Sequence, residues 1–334
     1  MWRDGVELAV DTTFNMICNH GALGDLVTSL PAIIHGRLSH HDTLKIKVHV
    51  APHQVELVAH LLKPYGTFEV LDMTHFPLKA VQREDWKGGP VATNHMQHNT
   101  HTRNRVHMVD YAFGCLLDAR PNSMAERSYP VLAPLGPRVI EKPYIVFPLG
   151  ATSDNKLFKA AVFVPVMEWV LAKGYQIVIT GTKMSFVKKQ MGDFLSEKVI
   201  EIRDEKDRIP PELAARLIDK MEKTSLLELR DLLGHAEAVV GVDGGTIHLA
   251  GTTDTSIVYA LTTAHPQHRY IPRLGDPHHK IRYVGPRDLE CSFCQSWTNL
   301  VFWHDFSTCL YGDSKCVDAL HPDDFIAALE ALGL

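Results

Sequence analysis

Short apolar runs alternate along this chain with longer segments whose apolar residues return every three or four positions. Phe14-Asn15-Met16-Ile17-Cys18 is the first run, and Leu26, Val27, Leu30, Ile33, Ile34 and Leu38 follow it at helical spacing. Pro31 must kink that helix or sit in its first turn. Lys45-Ile46-Lys47-Val48-His49-Val50 alternates and predicts a second strand, Gln54 to Leu62 a helix, and Phe68-Glu69-Val70-Leu71 a third strand. The later half repeats the plan more cleanly, with strands over Tyr144 to Phe147, Gln176 to Thr180, Val239 to Val242 and Ser256 to Leu261. Helices are predicted over Ala160 to Lys173 and Leu226 to Leu233, and a last one runs from Pro322 to Leu332. Gly174 stands where a left-handed C-cap is expected, and Ser225 with Glu228 forms the S-x-x-E pattern of a capping box. Strands alternating with helices require parallel sheets with right-handed crossovers.

Four prolines, Pro130, Pro134, Pro137 and Pro143, separate the halves and predict an extended linker. A chain of 334 residues suits two domains. The boundaries read as 1–135 for the first, 144–320 for the second and 321–334 for the terminal helix. Hydrophobic content of 45% supplies two cores, and a net charge of −5 gives no basic field for nucleic acid. No apolar stretch reaches the roughly 20 residues of a spanning helix, and Met1 to Glu7 has no basic start before an apolar core. The expected location is cytoplasmic. The region 79–107 is polar, with Lys79, Arg83, Lys87, Arg103 and Arg105. His95, His98, His101 and His107 within it drift across any helix face, which favours a flexible polar loop over a metal site.

Two strand ends carry chemistry. In Val239-Val240-Gly241-Val242-Asp243-Gly244-Gly245-Thr246-Ile247-His248-Leu249-Ala250 an apolar run stops at an acid and two glycines, then a helical pattern begins. Ligands of open α/β sheets bind just beyond the carboxyl ends of strands. Glycines let backbone N–H groups approach an anion, and a helix start adds partial positive charge. Asn19-His20-Gly21-Ala22-Leu23-Gly24-Asp25 repeats the arrangement near the N-terminus. Neither loop has G-x-G-x-x-G or G-x-x-x-x-G-K-[ST], which argues against a dehydrogenase and a P-loop NTPase.

The pair of motifs, G-D-x-x-x-x-x-P-A from Gly24 to Ala32 and D-G-G-x-x-H-L-A from Asp243 to Ala250, resembles glycosyltransferase family 9, the ADP-heptose:lipopolysaccharide heptosyltransferases. Further matches lie in the same order: Ile145 to Ala151 with Lys156, Ile177 to Gly181, Ser225 to Leu229, and Cys309 to Cys316. The resemblance implies an α/β GT-B fold, two Rossmann-like domains with parallel sheets facing a central cleft, and a last helix that crosses back to the first domain. It implies sugar transfer from a nucleotide-diphospho donor to a hydroxyl of a glycan or lipid-linked glycan, as in lipopolysaccharide biosynthesis, with peripheral membrane contact. A hydrolase or epimerase on the same fold, and a non-catalytic sugar-nucleotide-binding module, are the alternatives.

Transfer requires a base for the acceptor hydroxyl and charge stabilisation for the leaving diphosphate. The resemblance gives Asp25 the base role, against the plainer reading of Asp25 as a helix N-cap. Gly21 and Gly24 shape its loop. Lys156 carries the family's phosphate lysine, with Lys159 as a rival. Gly244, Gly245 and Thr246 offer amides and a hydroxyl to the diphosphate, and Gly150, Thr180 and Gly181 line the neighbouring strand ends. Asp243 would take sugar hydroxyls or orient Lys156, and His248 would meet a phosphate or pack beneath the loop.

Two departures touch the donor. The segment Gly181 to Lys189 lacks the acid that the family uses for the ribose, and the family's Asp-Thr-Gly is Asp243-Gly244-Gly245 here. They leave the identity of the sugar open. No cofactor is implied for the chemistry, because backbone, lysine and helix ends replace a metal. Cys291, Cys294, Cys309 and Cys316 lie within 26 residues and could hold a structural zinc or pack together.

Overall fold

A computed structural model describes residues 13–18, 23–39, 45–73, 91–93, 107–117, 120–151, 153–191, 194–201, 204–273, 280–294, 309 and 313–334. Gly21, His95, His98 and His101 fall outside these. The chain divides into two compact units: 1–134 with 186–198 and 272–274, and the remainder from Leu135 onward.

In the first unit the elements are β1 (Thr13–Ile17), α1 (Leu23–Ser39), β2 (Lys45–Val50), α2 (Val55–Leu62), β3 (Phe68–Asp72), β4 (Val91–Thr93), α3 (Met108–Leu117) and α4 (Met124–Arg127). The strands form a parallel sheet in the order β3-β2-β1-β4. Leu26, Val27, Leu30 and Ile33 put one face of α1 fully inside, as their spacing predicts. Pro31 lies inside α1. The hydroxyls of Thr28 and Ser29 both donate to the Asp25 carbonyl, at 2.9 and 2.8 Å, bracing the turn ahead of the proline. The polar stretch 79–107 differs from the expected loop in two respects. It contributes β4, and His107 is buried with its Nδ1 accepting from the Val109 N–H.

The rest of the chain follows with β5 (Tyr144–Pro148), α5 (Ala160–Ala172), β6 (Gln176–Thr180), β7 (Met184–Met191), β8 (Phe194–Glu201), α6 (Pro211–Ala214), β9 (Leu217–Asp219), α7 (Leu226–Gly234), β10 (Ala238–Val242), α8 (Gly245–Ala250), β11 (Ser256–Ala260), α9 (Pro266–Arg269), β12 (Ile281–Val284), α10 (Lys315–Asp318) and α11 (Pro322–Glu330), all in the second unit except most of β7 and β8, whose residues 186–198 belong to the first. Six parallel strands are ordered β12-β11-β10-β5-β6-β9, while β7 and β8 pair only with each other. Near-continuous apolar strands buried on both faces, such as Ala238 to Val242, are what such a sheet demands. Gly174 takes φ +89°, and the Ser225 hydroxyl and Glu228 carboxylate close a reciprocal capping box on α7.

Helix α11 lies on α5, β11 and β12, all of the second unit, and Phe325 is fully buried with its ring 5.4 Å from that of Phe158. Burial of an aromatic ring of this kind contributes about 1.5–3 kcal/mol, which ties the C-terminus to this core.

Candidate active site

Read from β9, the second sheet runs third, second, first, fourth, fifth, sixth strand. In that order the chain turns to opposite sides after β5 and β10, and the crevice at their carboxyl ends is the ligand position of open α/β sheets. The ladder between these two strands registers only Ala238 with Ile145 and Val239 with Val146, whereas β10–β11 and β5–β6 each register five pairs. The central strands part toward the crevice.

Glycines shape its floor. The Leu149 N–H donates to the Thr180 carbonyl at 2.7 Å, drawing the exits of β5 and β6 together. Gly150 and Gly181 have φ of +113° and +152°, and a Cβ on Gly181 would stand 2.2 Å from the Leu149 carbonyl oxygen. The Thr180 hydroxyl oxygen is buried there with no hydrogen-bond partner among the described residues.

A short 3₁₀ turn, Asp154–Lys156, carries the lysine. Buried Asn155 is held at both ends, its Oδ1 accepting from the Ser153 hydroxyl at 2.8 Å and its carbonyl from the Thr262 hydroxyl at 2.6 Å. Lys156 Nζ then reaches across the crevice and donates to Asp243 Oδ2 at 2.6 Å. The other oxygen, Oδ1, accepts from the Tyr259 hydroxyl at 2.5 Å and lies 3.5 Å from His248 Nε2. Burial pushes the Asp243 carboxyl up. The charge of Lys156, the hydrogen bond and charge of His248 and the charge of Arg269 outweigh it, holding the carboxyl well below the usual range. Asp243 is therefore an ionised hub. Of the two rival lysines, Lys156 belongs to it, and Lys159 pairs instead with Asp318.

Helix α8 begins directly after Asp243. Gly244 is its N-cap, in extended backbone and without a side-chain cap bond. Ile247 and His248 N–H groups return to the Gly244 carbonyl, so Gly245 and Thr246 sit in the opening turn ahead of the first intrahelical bonds. A Cβ on Gly244 would meet nothing nearer than 3.7 Å, so this glycine leaves room above the backbone rather than below it. His248 is buried, its ring edge-on to Tyr259 with centroids 6.0 Å apart.

An acid from beyond β9 approaches the segment Gly181 to Lys189. Glu222, in the left-handed region at φ 56°, accepts from the Lys183 N–H at 3.2 Å and donates its own N–H to the Gly181 carbonyl. Its sequence position, beyond β9, gives no hint of this approach.

In the first unit, Asp25 occupies the first turn of α1, which begins at Leu23. It is thus inside the helix rather than its N-cap, and Gly24 precedes it in the same turn. The four C-terminal cysteines carry free thiols. Burial first, and then the charges of Cys294, Cys309 and Cys291, push the Cys316 thiol up to about 12. Among the described residues no group of three or more His, Cys, Asp or Glu side chains is arranged to hold a metal ion.

The model of glycosyltransferase family 9 (heptosyltransferase) matches residues 40–274, most of the chain and both units. The chain belongs to glycosyltransferase family 9. This family 9 glycosyltransferase has the GT-B fold of several solved structures. The iron-containing dodecameric glycosyltransferase TibC of enterotoxigenic E. coli aligns over 98% of this chain and 77% of its own, with TM-score 0.70 and 18% identity. A second TibC structure holds ADP-D-β-D-heptose. A family 9 glycosyltransferase of Veillonella parvula aligns over 98% and 99%, with TM-score 0.61 and 13% identity. ADP-heptose lipopolysaccharide heptosyltransferase II of E. coli aligns over 96% and 98%, with TM-score 0.59 and 14% identity. A sequence search of curated proteins gives no match.

Proposed function

We propose that this family 9 enzyme transfers a heptose from ADP-heptose to a hydroxyl of a glycan acceptor. The observation that carries the reading is the Lys156–Asp243 pair laid across the β5/β10 crevice, beside the uncapped turn at Gly244. An ammonium held by a buried carboxylate, with backbone amides next to it, is a built receptor for a diphosphate. The TibC complex with ADP-D-β-D-heptose supports heptose as the sugar.

In this reading the acceptor oxygen attacks the anomeric carbon while the bond from that carbon to the diphosphate oxygen breaks. The electron pair goes to the diphosphate, stabilised by Lys156 and the amides of Gly244, Gly245 and Thr246. The acceptor proton goes to the Asp25 carboxylate. Gly150, Thr180 and Gly181 line the nucleotide side, Glu222 supplies the acid that the sequence there lacks, and His248 steadies Asp243 from below. Charge stabilisation by lysine and backbone makes the transfer independent of divalent metal.

The acceptor is a lipopolysaccharide-type or other lipid-linked glycan, met at the cytoplasmic membrane face by peripheral contact. Among the described residues no helix is long and apolar enough to cross a membrane. Cys291, Cys294, Cys309 and Cys316 are the residues for a structural metal. Four thiols suit zinc or iron, TibC is described as iron-containing, and a divalent ion would relieve the charge that three thiols impose on the fourth. The donor set agrees in type; its placed side chains do not form a closed ligand group.

A panel of nucleotide sugars, screened by thermal shift and by release of nucleoside diphosphate, tests the reading. ADP-heptose at 100 times its Kd adds about 2.7 kcal/mol of stability and a corresponding rise in Tm. Gly244→Ala, whose Cβ meets nothing nearer than 3.7 Å, reduces that rise by covering the backbone. An unaltered rise in the variant, or no response to any nucleotide sugar, refutes it.

A further inference from the structure

Strand β11 reaches Asp243 directly, and a residue just beyond its end holds the turn that carries Lys156, without belonging to either motif. Its register sets Tyr259 opposite Gly241 of β10 and Tyr283 of β12. Residues 241 and 243 share a face of the sheet edge, so the Tyr259 ring, leaning along the strand, reaches the Asp243 carboxylate two residues further on. Its hydroxyl donates to Oδ1 at 2.5 Å, leaving Oδ2 for Lys156 at 2.6 Å. The ring itself is fully buried, wedged between His248 and Tyr283 at centroid distances of 6.0 and 5.8 Å. Three residues beyond Tyr259, the Thr262 hydroxyl holds the Asn155 carbonyl, directly before Lys156.

We infer that Tyr259 is a positioning residue for the transfer, acting through Asp243 to aim the Lys156 ammonium at the leaving diphosphate. The inference rests on the donor reading above. Its physical basis is restraint. A lysine side chain has many rotamers to lose, and a carboxylate whose Oδ1 keeps only the longer 3.5 Å contact with His248 is freer to rotate about its own axis. Tyr259 fixes that rotation from inside the sheet, and Thr262 fixes the turn from which the lysine departs. The ammonium thereby stands in place before the ligand arrives, which is what electrostatic preorganisation requires. Tyr259 touches no substrate. Lys156, His248 and Arg269 are the charged or titratable groups that face Asp243 from the other elements packed around it, and none of them replaces a hydrogen bond to Oδ1 from the sheet side.

The test uses the full chain and whichever of ADP, UDP and GDP binds the native protein most tightly, with its nucleoside as the control. Binding is measured by calorimetry for the native protein, Lys156→Ala, Tyr259→Phe and the double variant. Phenylalanine keeps the buried ring, so the variant folds. Expected for Tyr259→Phe is a loss of about three- to tenfold in affinity for the diphosphate, the worth of one ordinary hydrogen bond, because the effect reaches the ligand only through Asp243 and Lys156. Affinity for the nucleoside stays unchanged. The double variant binds no more weakly than Lys156→Ala, because the tyrosine acts only through the lysine. The acid edge of diphosphate binding moves to higher pH in Tyr259→Phe, since an ionised Asp243 has lost a donor.

Native-like diphosphate affinity in Tyr259→Phe overturns the inference, as does an equal loss for the nucleoside or full additivity in the double variant. Failure of the donor reading looks different: no diphosphate binds the native protein, or Lys156→Ala binds as the native protein does.

Discussion

At the scale of single residues, function concentrates in groups whose surroundings contradict their solution behaviour. Asp243 is one-tenth exposed yet ionised, because the Lys156 charge, the His248 hydrogen bond and the Arg269 charge outweigh its burial. Its lowered pKa stabilises the fold above the unfolded carboxylate value of about 3.9, and that contribution disappears as pH falls through the folded value. Urea midpoints followed from pH 7 to pH 3 will drop for the native chain, and Asp243→Asn will flatten the acid part of that curve. The same variant leaves Lys156 without its partner. The lysine keeps about a quarter of its side chain in solvent, so the cost at pH 7 is about 1–3 kcal/mol rather than that of a fully buried charge.

Asp25 poses a cleaner question of chemistry. Asparagine is of nearly equal size and forfeits at most about 0.3–1 kcal/mol of interaction with the start of α1, so the fold survives Asp25→Asn. Loss of a general base lowers turnover by about 10²–10⁴-fold. Donor affinity, carried by the other unit, will stay within a factor of two or so. Steady-state rates and donor titration on one preparation check both, and normal turnover would remove Asp25 from the mechanism. Gly181→Ala separates shape from charge at the same site. Its methyl would stand 2.2 Å from a carbonyl oxygen, so the exits of β5 and β6 must spread, at about 1–3 kcal/mol by chemical denaturation, with nucleotide affinity falling alongside.

Elements obeyed local rules wherever their rules were local. The period of apolar residues marked α1, α2 and α5, and the capping box on α7 formed with both of its bonds, at 3.2 and 2.8 Å. Ser225→Ala will cost about 1 kcal/mol and lower Tm by about 2–4 °C in a scanning calorimeter, without touching donor affinity. Elements that escaped the sequence had no period to show. Strands β4 and β9 are three residues each, too short for alternation, and β9 exists because it can pair with β6. Strand β12, four residues long, is too short to show a period and is set by its pairing with β11. Helix α11 was legible as a helix, but its docking partner was not. Phe325 is fully buried beside Phe158, a contact that no local pattern announces.

For the whole molecule the open matter is what metal does. Transfer will survive chelation, because lysine and amides neutralise the diphosphate, and a strict requirement for added magnesium or manganese would overturn that mechanism. A strong chelator will instead erode folded protein slowly if the four C-terminal thiols hold a structural ion, since such an ion contributes folding energy. Elemental analysis beside circular dichroism reads both effects at once.

What the sequence determined by itself is whatever depends on neighbours within a few positions. The alternation of apolar runs and helical periods fixed two α/β halves, the glycines after β5, β6 and β10 fixed where backbone could approach an anion, and the ordered motifs fixed the family. Tertiary structure alone decided which side chains meet. Sequence spacing preferred Lys156 with Lys159 as a rival, and the β5–β10 adjacency gives Lys156 to Asp243 while Lys159 turns to Asp318. Tyr259 and Glu222 carry no motif, and they reach the site through sheet register and a left-handed turn. The reason is physical: strand order sets contacts between residues 16 to 87 positions apart, and no local pattern encodes a distance of that kind.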